Sequence, residues 1–205
     1  MGKKIDSIKE MYELGLPAPR CVFIMKEDDV DLKLTEFLTK YPSEFYTIRT
    51  DTEDNSMSCK RLLSATRTEL VYLSSEWKDM GFQIILQEFI DEKNEIKSGN
   101  IYLKNDKVII EGAKAPHHIF TNGRALDIHL KCDRFNSSYY DLEYNRFYNI
   151  KDTFSISEII RLLKLARRVP YYKAIIEFSF FKNGSCYFWE IKKENTLRIM
   201  DQFQY

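Results

Sequence analysis

Two glutamates near the end of the chain are the residues best placed to do chemistry. Asn183-Gly184 separates two apolar-rich runs, residues 174–181 and 185–192. Asn-Gly in that setting is a strong hairpin signal, because both residues tolerate positive φ. A two-residue turn there sets Glu177 directly opposite Glu190. Like charges directly opposite one another destabilise a hairpin, so the pair needs a reason to exist. One face, with Ile176, Phe178, Phe180, Tyr187, Trp189 and Ile191, is wholly apolar and is expected to be core. The glutamate face carries Ser179, Cys186, Phe188 and Lys192, with Ile175 opposite Lys192, and so looks onto something polar but sheltered. Adjacent carboxylates in such a place share a proton or hold a cation. Magnesium suits them best, since a hard cation takes oxygen ligands and is commonly held by one or two carboxylates plus substrate phosphates. The other reading is a solvated face on which Lys192 and a neighbouring Lys neutralise the pair, and a one-residue slip of register would separate it altogether.

Other chemistry has less support. Cys21, Cys59, Cys132 and Cys186 lie far apart, with no C-x-x-C and no His at ligand spacing. A closed zinc site needs paired ligands on short turns, so buried free thiols are expected. His117 and His118 follow Pro116 in an expected loop, and His129 lies in an alternating segment. No G-x-S-x-G or Cys/His signature accompanies them, which argues against triad chemistry.

Composition narrows the classes further. The 205 residues carry 31 Lys and Arg against 31 Asp and Glu, so no surplus of positive charge argues for nucleic acid as a partner. With 14 Phe and 13 Tyr against 7 Gly and 5 Pro, the chain must bury aromatic surface and is globular. Charges at Lys3, Lys4, Asp6, Lys9, Glu10 and Glu13 leave no secretory apolar stretch in the first twenty residues. No run approaches a membrane span, and a cytoplasmic protein is expected.

The elements that must position these residues alternate along the chain. Residues 6–14 read as a helix ended by Gly15 and Pro17, 21–25 as a strand, 30–41 as a helix and 45–49 as a strand, a βαβ beginning. A polar loop over 50–60 precedes a helical pattern from about 61 to 80, and the nearly continuous apolar run 83–90 is a strand buried on both faces. A first hairpin pairs 100–104 with 107–112 around Asn105-Asp106. A strand at 125–131, an irregular Tyr-rich stretch to 150 and a helix near 157–168 follow, the last with Ser155 and Glu158 at capping-box spacing. The chain is mixed α+β, richer in strands toward its C-terminus.

Several of these segments resemble, in order, the nucleotide-binding domain of the pyruvate phosphate dikinase and phosphoenolpyruvate synthase family. The opening GKKIDSIKEMYELGLPAP, residues 2–19, is similar to the family's G-G-K-G-A-N-L-x-E-M-x-x-L-G-L-P-V-P, and places Lys4 on its ATP-phosphate lysine. Ile48-Arg49-Thr50 followed by Glu53-Asp54 resembles V-R-S-S-A-x-x-E-D, with Arg49 on the phosphate-contacting arginine. Gln87-Glu88-Phe89-Ile90 looks like the hinge strand bordering the adenine, and Ser98-Gly99 like the S-G-V after it. Glu111, then Asn122-Gly123-Arg124 and Asp127, match further elements of the nucleotide site. Ile176-Glu177-Phe178 and Trp189-Glu190-Ile191-Lys192 resemble the terminal hairpin, whose acidic residue binds metal and nucleotide.

The resemblance implies an α+β, ATP-grasp-like fold of two small lobes, with mixed or antiparallel sheets flanked by helices. The boundary is expected at residue 82, with the Lys4 and Arg49 side in 1–82 and the second lobe in 83–205. It further implies ATP and Mg²⁺ as cofactors and phosphoryl transfer or ATP-dependent activation of an unknown small acceptor. Lys4 and Arg49 would serve catalysis at the phosphates, and Gln87, Glu88, Phe89, Ile90, Glu111, Arg124 and Asp127 would bind nucleotide. Glu177 and Glu190 would hold the metal.

Departures from the family pattern keep a second function open. Asn55 to Ser58, where a glycine-rich phosphate loop is expected, contains no Gly, and residues 113–117 have lost both glycines of the family's G-L-G-E turn. Ile175 stands where the family has Asp, and Glu190 where it has Gln, closer to the E-x-N metal ligand of general ATP-grasp enzymes. The 205 residues hold no counterpart of the family's phosphohistidine and phosphoenolpyruvate-binding domains, so a shortened protein lacking them is expected. A catalytically inactive nucleotide-binding or protein-interaction module is the alternative, and a partner subunit carrying the missing domains is a further expectation.

Overall fold

The computed structural model describes residues 3–54, 56–114, 116–121, 127–134 and 153–193. They fall into two compact units: residues up to Lys9 together with Pro19–Asp91, and Glu10–Ala18 together with the chain from Glu92 onward. Helix α1 (Lys3–Glu13) contributes to both.

The first unit is built on a four-stranded sheet of β1 (Cys21–Ile24), β2 (Tyr46–Asp51), β3 (Arg61–Ala65) and β4 (Gln83–Glu88), in the order β1-β4-β2-β3. Every neighbouring pair is antiparallel. The expected β1–helix–β2 unit is therefore opened by β4, which inserts between the two strands. Ile84, Ile85 and Leu86 are fully buried, so β4 is covered on both faces as its apolar run requires. One face packs under α2 (Val30–Lys40) and α3 (Arg67–Asp79) through Leu34, Phe37, Leu70 and Trp77. On the other, the buried Asp51 carboxylate accepts from the backbone N–H of Ile5 at 2.8 Å. It thereby caps the N-terminus of α1, where backbone amides have no partner within the helix.

Two expectations fail here for identifiable reasons. Residues 61–65, read as the start of a helix, form β3. Thr66 is the N-cap of α3, its hydroxyl accepting from Glu69 N–H while Glu69 returns to Thr66, so the helix cannot extend backward. The residue-82 boundary falls just before β4, whereas β4 hydrogen-bonds inside the first sheet and the units change over at Asp91.

The second unit is a five-stranded antiparallel sheet in the order β7-β6-β5-β8-β9. Its strands are β5 (Glu95–Lys104), β6 (Lys107–Ala113), β7 (Ile128–Asp133), β8 (Lys173–Phe181) and β9 (Cys186–Lys193). The short helix α4 (His117–Thr121) stands where a loop was expected. Helix α5 (Ile156–Ala166) begins at Ser155 with the capping box the sequence shows, and buries Ile159, Leu162, Leu163 and Ala166. Phe154 is fully buried and meets Phe178 and Phe180 edge-on, each with ring centroids 6.1 Å away. Under this ring Gly99 and Gly112 sit opposite one another. A Cβ on Gly112 would lie 2.9 Å from Phe154, so only glycine leaves room for the aromatic. Among the described residues no helix is long and apolar enough to cross a membrane.

Candidate functional site

Residues directly opposite in an antiparallel sheet point to the same face. One line of such partners crosses all five strands of the second sheet: His129, Glu111, Asn100, Glu177 and Glu190. A second line beside it runs Lys131, Ile109, Tyr102, Ile175 and Lys192. The opposite face holds Leu130, Ile110, Ile101, Ile176 and Ile191, all buried, and is the core. The glutamate side chains are sheltered, at 14% exposed for Glu177, 28% for Glu190 and 26% for Glu111. Three half-buried carboxylates and an amide in a line across a sheet, with the exposed His129 imidazole at its end, suit neither a core nor a fully solvated surface.

The Glu177–Glu190 pairing survives through two compensating irregularities. The turn contains three residues, because Phe181 N–H bonds to Ser185 O at 3.0 Å and Gly184 takes φ of +78°. That shifts the expected register by one, giving Phe180 opposite Cys186, Ser179 opposite Tyr187 and Phe178 opposite Phe188. A bulge at Trp189 then restores it, so that Glu177 meets Glu190 and Ile175 meets Lys192. Near the turn the faces expected from the sequence are consequently exchanged. Cys186 and Phe188 are buried core residues, whereas Trp189 lies beyond the core and donates its indole N–H to Ser179 Oγ at 2.7 Å. The backbone N–H of Phe188 finds Pro17 O at 2.7 Å.

Electrostatics in the line centre on Lys192. Its ammonium donates to Glu177 Oε1 and lies 3.5 Å from Glu190 Oε2. Burial works against that charge, but Glu177 and Glu190 outweigh it and hold the ammonium above its ordinary pKa. His117 Nε2 on α4 is 3.5 Å from Glu177 Oε2, and His129 Nδ1 is 2.9 Å from Glu111 Oε1. Tyr102 receives the Asn100 amide N–H at 3.2 Å, and its phenol is pushed up by burial and the nearby glutamates. Among the described residues the buried Asn100 side-chain oxygen finds no hydrogen-bond partner. An orphaned buried acceptor on a polar face is where a ligand donor or cation fits.

The remaining residues singled out from the sequence are dispersed. In the first unit Lys4 lies in the first turn of α1, the turn anchored by Asp51, and Arg49 is two residues before Asp51 on β2, on the same face. Gln87 is buried in β4. Glu88, which ends that strand, is held by Arg20 through its backbone N–H at 2.9 Å and its guanidinium at 2.8 Å. Phe89 and Ile90 lie just past the strand, half-buried, and Phe89 meets the Phe45 ring edge-on at 6.0 Å. In the second unit Asp127 binds its own loop, accepting from Lys114 N–H at 2.7 Å. Arg124 lies outside the described residues. Glu95 escaped the sequence reading: it is buried, accepts from His117 N–H at 3.0 Å and from the Ser179 hydroxyl, and belongs to the same polar face. Its only sequence signal is an acidic residue opening a strand.

Glu177 and Glu190 are the oxygen donors a hard divalent ion takes, and Asn100 offers a third oxygen beside them. Among the described residues no three His, Cys, Asp or Glu side chains converge to hold an ion unaided. A divalent ion at this face would need further oxygens from outside these residues.

No family model and no curated protein matches the sequence. Solved structures do. A D-alanine–D-alanine ligase from Helicobacter pylori is similar over 94% of this chain and 53% of its own, at 14% identity and a TM-score of 0.55. An N5-carboxyaminoimidazole ribonucleotide synthetase in complex with ADP is similar over 95% of this chain and 46% of its own, at 12% identity and a TM-score of 0.53. A macrocyclase from Microcystis aeruginosa, bound to its precursor peptide, is similar over 92% of this chain and 51% of its own, at 12% identity and a TM-score of 0.51. The chain thus spans about half the length of the solved proteins it matches. Two antiparallel sheets flanked by helices, matched over nearly the whole chain by such structures, make this an α+β fold of the ATP-grasp type.

Proposed function

We propose that the chain binds ATP and uses it to activate a small acceptor, with the polar face of the second sheet carrying the charged end of the nucleotide. The observation that supports this most is the line of Glu111, Asn100, Glu177 and Glu190, sheltered on a face whose reverse is the core. In this reading Glu177 and Glu190, with phosphate oxygens, hold a magnesium ion that would neutralise charge on the triphosphate. Lys4 and Arg49 are the cations for phosphate oxygens, Arg as a planar fork and Lys as a mobile point charge. Of the Gln87–Ile90 segment, Gln87 and Glu88 are engaged in the sheet, so Phe89 and Ile90 just past β4 would meet the adenine edge, and Arg124 and Asp127 complete the set drawn from the family resemblance. Phosphoryl transfer to the acceptor, or ligation through an activated acyl group, needs mainly positioning and charge neutralisation from the protein. Ligases and synthetases among the structural neighbours favour the second.

The glycine-free stretches at 55–58 and 113–117 support a second reading, a module that binds nucleotide without turnover. Thermal unfolding with millimolar ATP, with and without Mg²⁺, tests the first claim. A hundredfold excess over Kd stabilises by about 2.7 kcal/mol, on the order of 5–10 °C for a chain of this size. An unmoved Tm rejects both readings. Stabilisation without ADP release toward any amino-acid or peptide carboxylate selects the module.

A further inference from the structure

Lys192 stands where a cation entering the acidic pair has to bind. Its ammonium donates to Glu177 Oε1 on β8 and lies 3.5 Å from Glu190 Oε2 on its own strand. Two carboxylates therefore share one internal cation, and the three side chains carry a single net negative charge. Their surroundings are poor in water, since the Lys192 side chain is 30% exposed and the two glutamates less so. A divalent ion placed on Glu177 and Glu190 with the ammonium still between them would meet strong, weakly screened repulsion.

The alternative is displacement, and the geometry allows it. Lys192 reaches the pair by a flexible four-carbon stem. Its partners across the sheet are Ile175 and then Tyr102, neither of them an acid. Among the described residues, the other charged or titratable groups on this face are His117, at 3.5 Å from Glu177 Oε2, the Tyr102 phenol, Glu111 on β6, which is bound to His129, and Lys131 further along on β7. None of them replaces the ammonium as counter-ion of Glu190. A bare metal ion must therefore expel Lys192, and among the described residues no acid other than the His129-bound Glu111 faces it there. A metal that arrives on phosphates solves both problems, because the phosphate oxygens complete its coordination and give the displaced ammonium a new partner.

We propose that Lys192 is an internal counter-ion that keeps divalent ions off the Glu177–Glu190 pair until a phosphate-bearing ligand arrives, so that metal and nucleotide bind this face together. The inference rests on the reading of the pair as the seat of a metal–nucleotide complex, and the test uses metal alone so that the two can fail separately.

The probe is Mn²⁺ without nucleotide, followed by its electron paramagnetic resonance signal and by the melting temperature. The wild-type chain is expected to bind Mn²⁺ only weakly and to show no thermal shift. Lys192→Met is expected to bind it at least tenfold more tightly and to regain stability on Mn²⁺ addition, and Lys192→Met/Glu177→Gln is expected to lose the gain. Stoichiometric Mn²⁺ binding by the wild type that disappears in Glu177→Gln overturns the proposal, whether or not the Lys192 variants fold. Equal affinity of wild type and Lys192→Met overturns it too. Tight nucleotide-free Mn²⁺ binding alongside ATP-dependent stabilisation would retain the nucleotide reading and remove this one.

Discussion

Glu95 shows how a single carboxylate ties the polar face together. It accepts from α4 through the His117 N–H and from β8 through the Ser179 hydroxyl, and Ser179 in turn receives the Trp189 indole N–H. Burial raises its carboxyl above the ordinary 4.5, against the pull of those two hydrogen bonds. The folded chain then holds this proton more tightly than the unfolded one, so stability declines as pH rises from about 4.5 through the folded value and levels off above it. Glu95→Gln keeps an acceptor oxygen and removes the charge. Urea denaturation between pH 4.5 and 8 is predicted to show a shallower decline in the variant, and parallel curves for the two proteins would contradict the burial of a charge there. The cysteines sort in the same way by environment. Cys186 is 1% exposed and burial pushes its thiol to about 12, Cys132 is buried, and Cys59 is exposed. A thiol reagent at neutral pH is predicted to modify Cys59 in the native chain and to reach Cys132 and Cys186 only on unfolding.

At the level of elements, the sheets owe their shape to a few local irregularities. Gly99 faces Gly112, and a Cβ on Gly99 would come within 2.8 Å of both the Gly112 Cα and the Phe178 ring, with backbone nearer still. Gly99→Ala is predicted to destabilise the second unit by about 3 kcal/mol, at the high end for overpacking, because backbone rather than a flexible side chain must yield. A midpoint within error of wild type in urea would show that β5 and β6 can part without cost. The α5 start was legible because Ser155 and Glu158 spell a capping box, and the same signal at Thr66 and Glu69 marks the start of α3. Residues 61–65 look helical because Leu62 and Leu63 extend the apolar pattern backward, and only the cap one turn later shows that they are strand. The Glu177–Glu190 pairing was legible for an incomplete reason. The turn has one residue more than Asn-Gly suggests and the Trp189 bulge absorbs it, a cancellation that periodicity cannot reveal.

For the whole molecule, the order of motifs carried more than any one of them. The fold type was legible from that order, since the matched segments follow one another as they do in a nucleotide-binding domain of this fold, although Glu53-Asp54 lies in a loop and Asn122-Gly123-Arg124 lies outside the described residues. The membership of β4 was not, because whether a buried strand closes one sheet or opens the next depends on partners distant in sequence. Of the candidate site, the glutamate pair and Glu111 fall on one line, while Glu95, Asn100 and His117 join it through sheet register and a five-residue helix that carry little sequence signal. Formal neutrality at the scale of the chain conceals a concentration of acids on one face, balanced locally by Lys192. Glu177→Gln leaves Glu190 as a partner for Lys192, so the variant is expected to fold cooperatively at a cost on the order of 1–3 kcal/mol, the scale of losing a hydrogen bond to a charged group in a sheltered setting. That separates its effect on binding from its effect on folding.

The most direct measurement is titration calorimetry of ATP into the wild-type chain and into Glu177→Gln, each in Mg²⁺ and again in a chelating buffer. Saturable binding is predicted for the wild type in Mg²⁺, weakened at least tenfold by the chelator and to the same extent by the substitution in a variant that still melts cooperatively. Undiminished ATP binding by Glu177→Gln in Mg²⁺, or no heat of binding from the wild type at all, would contradict a nucleotide site on this face.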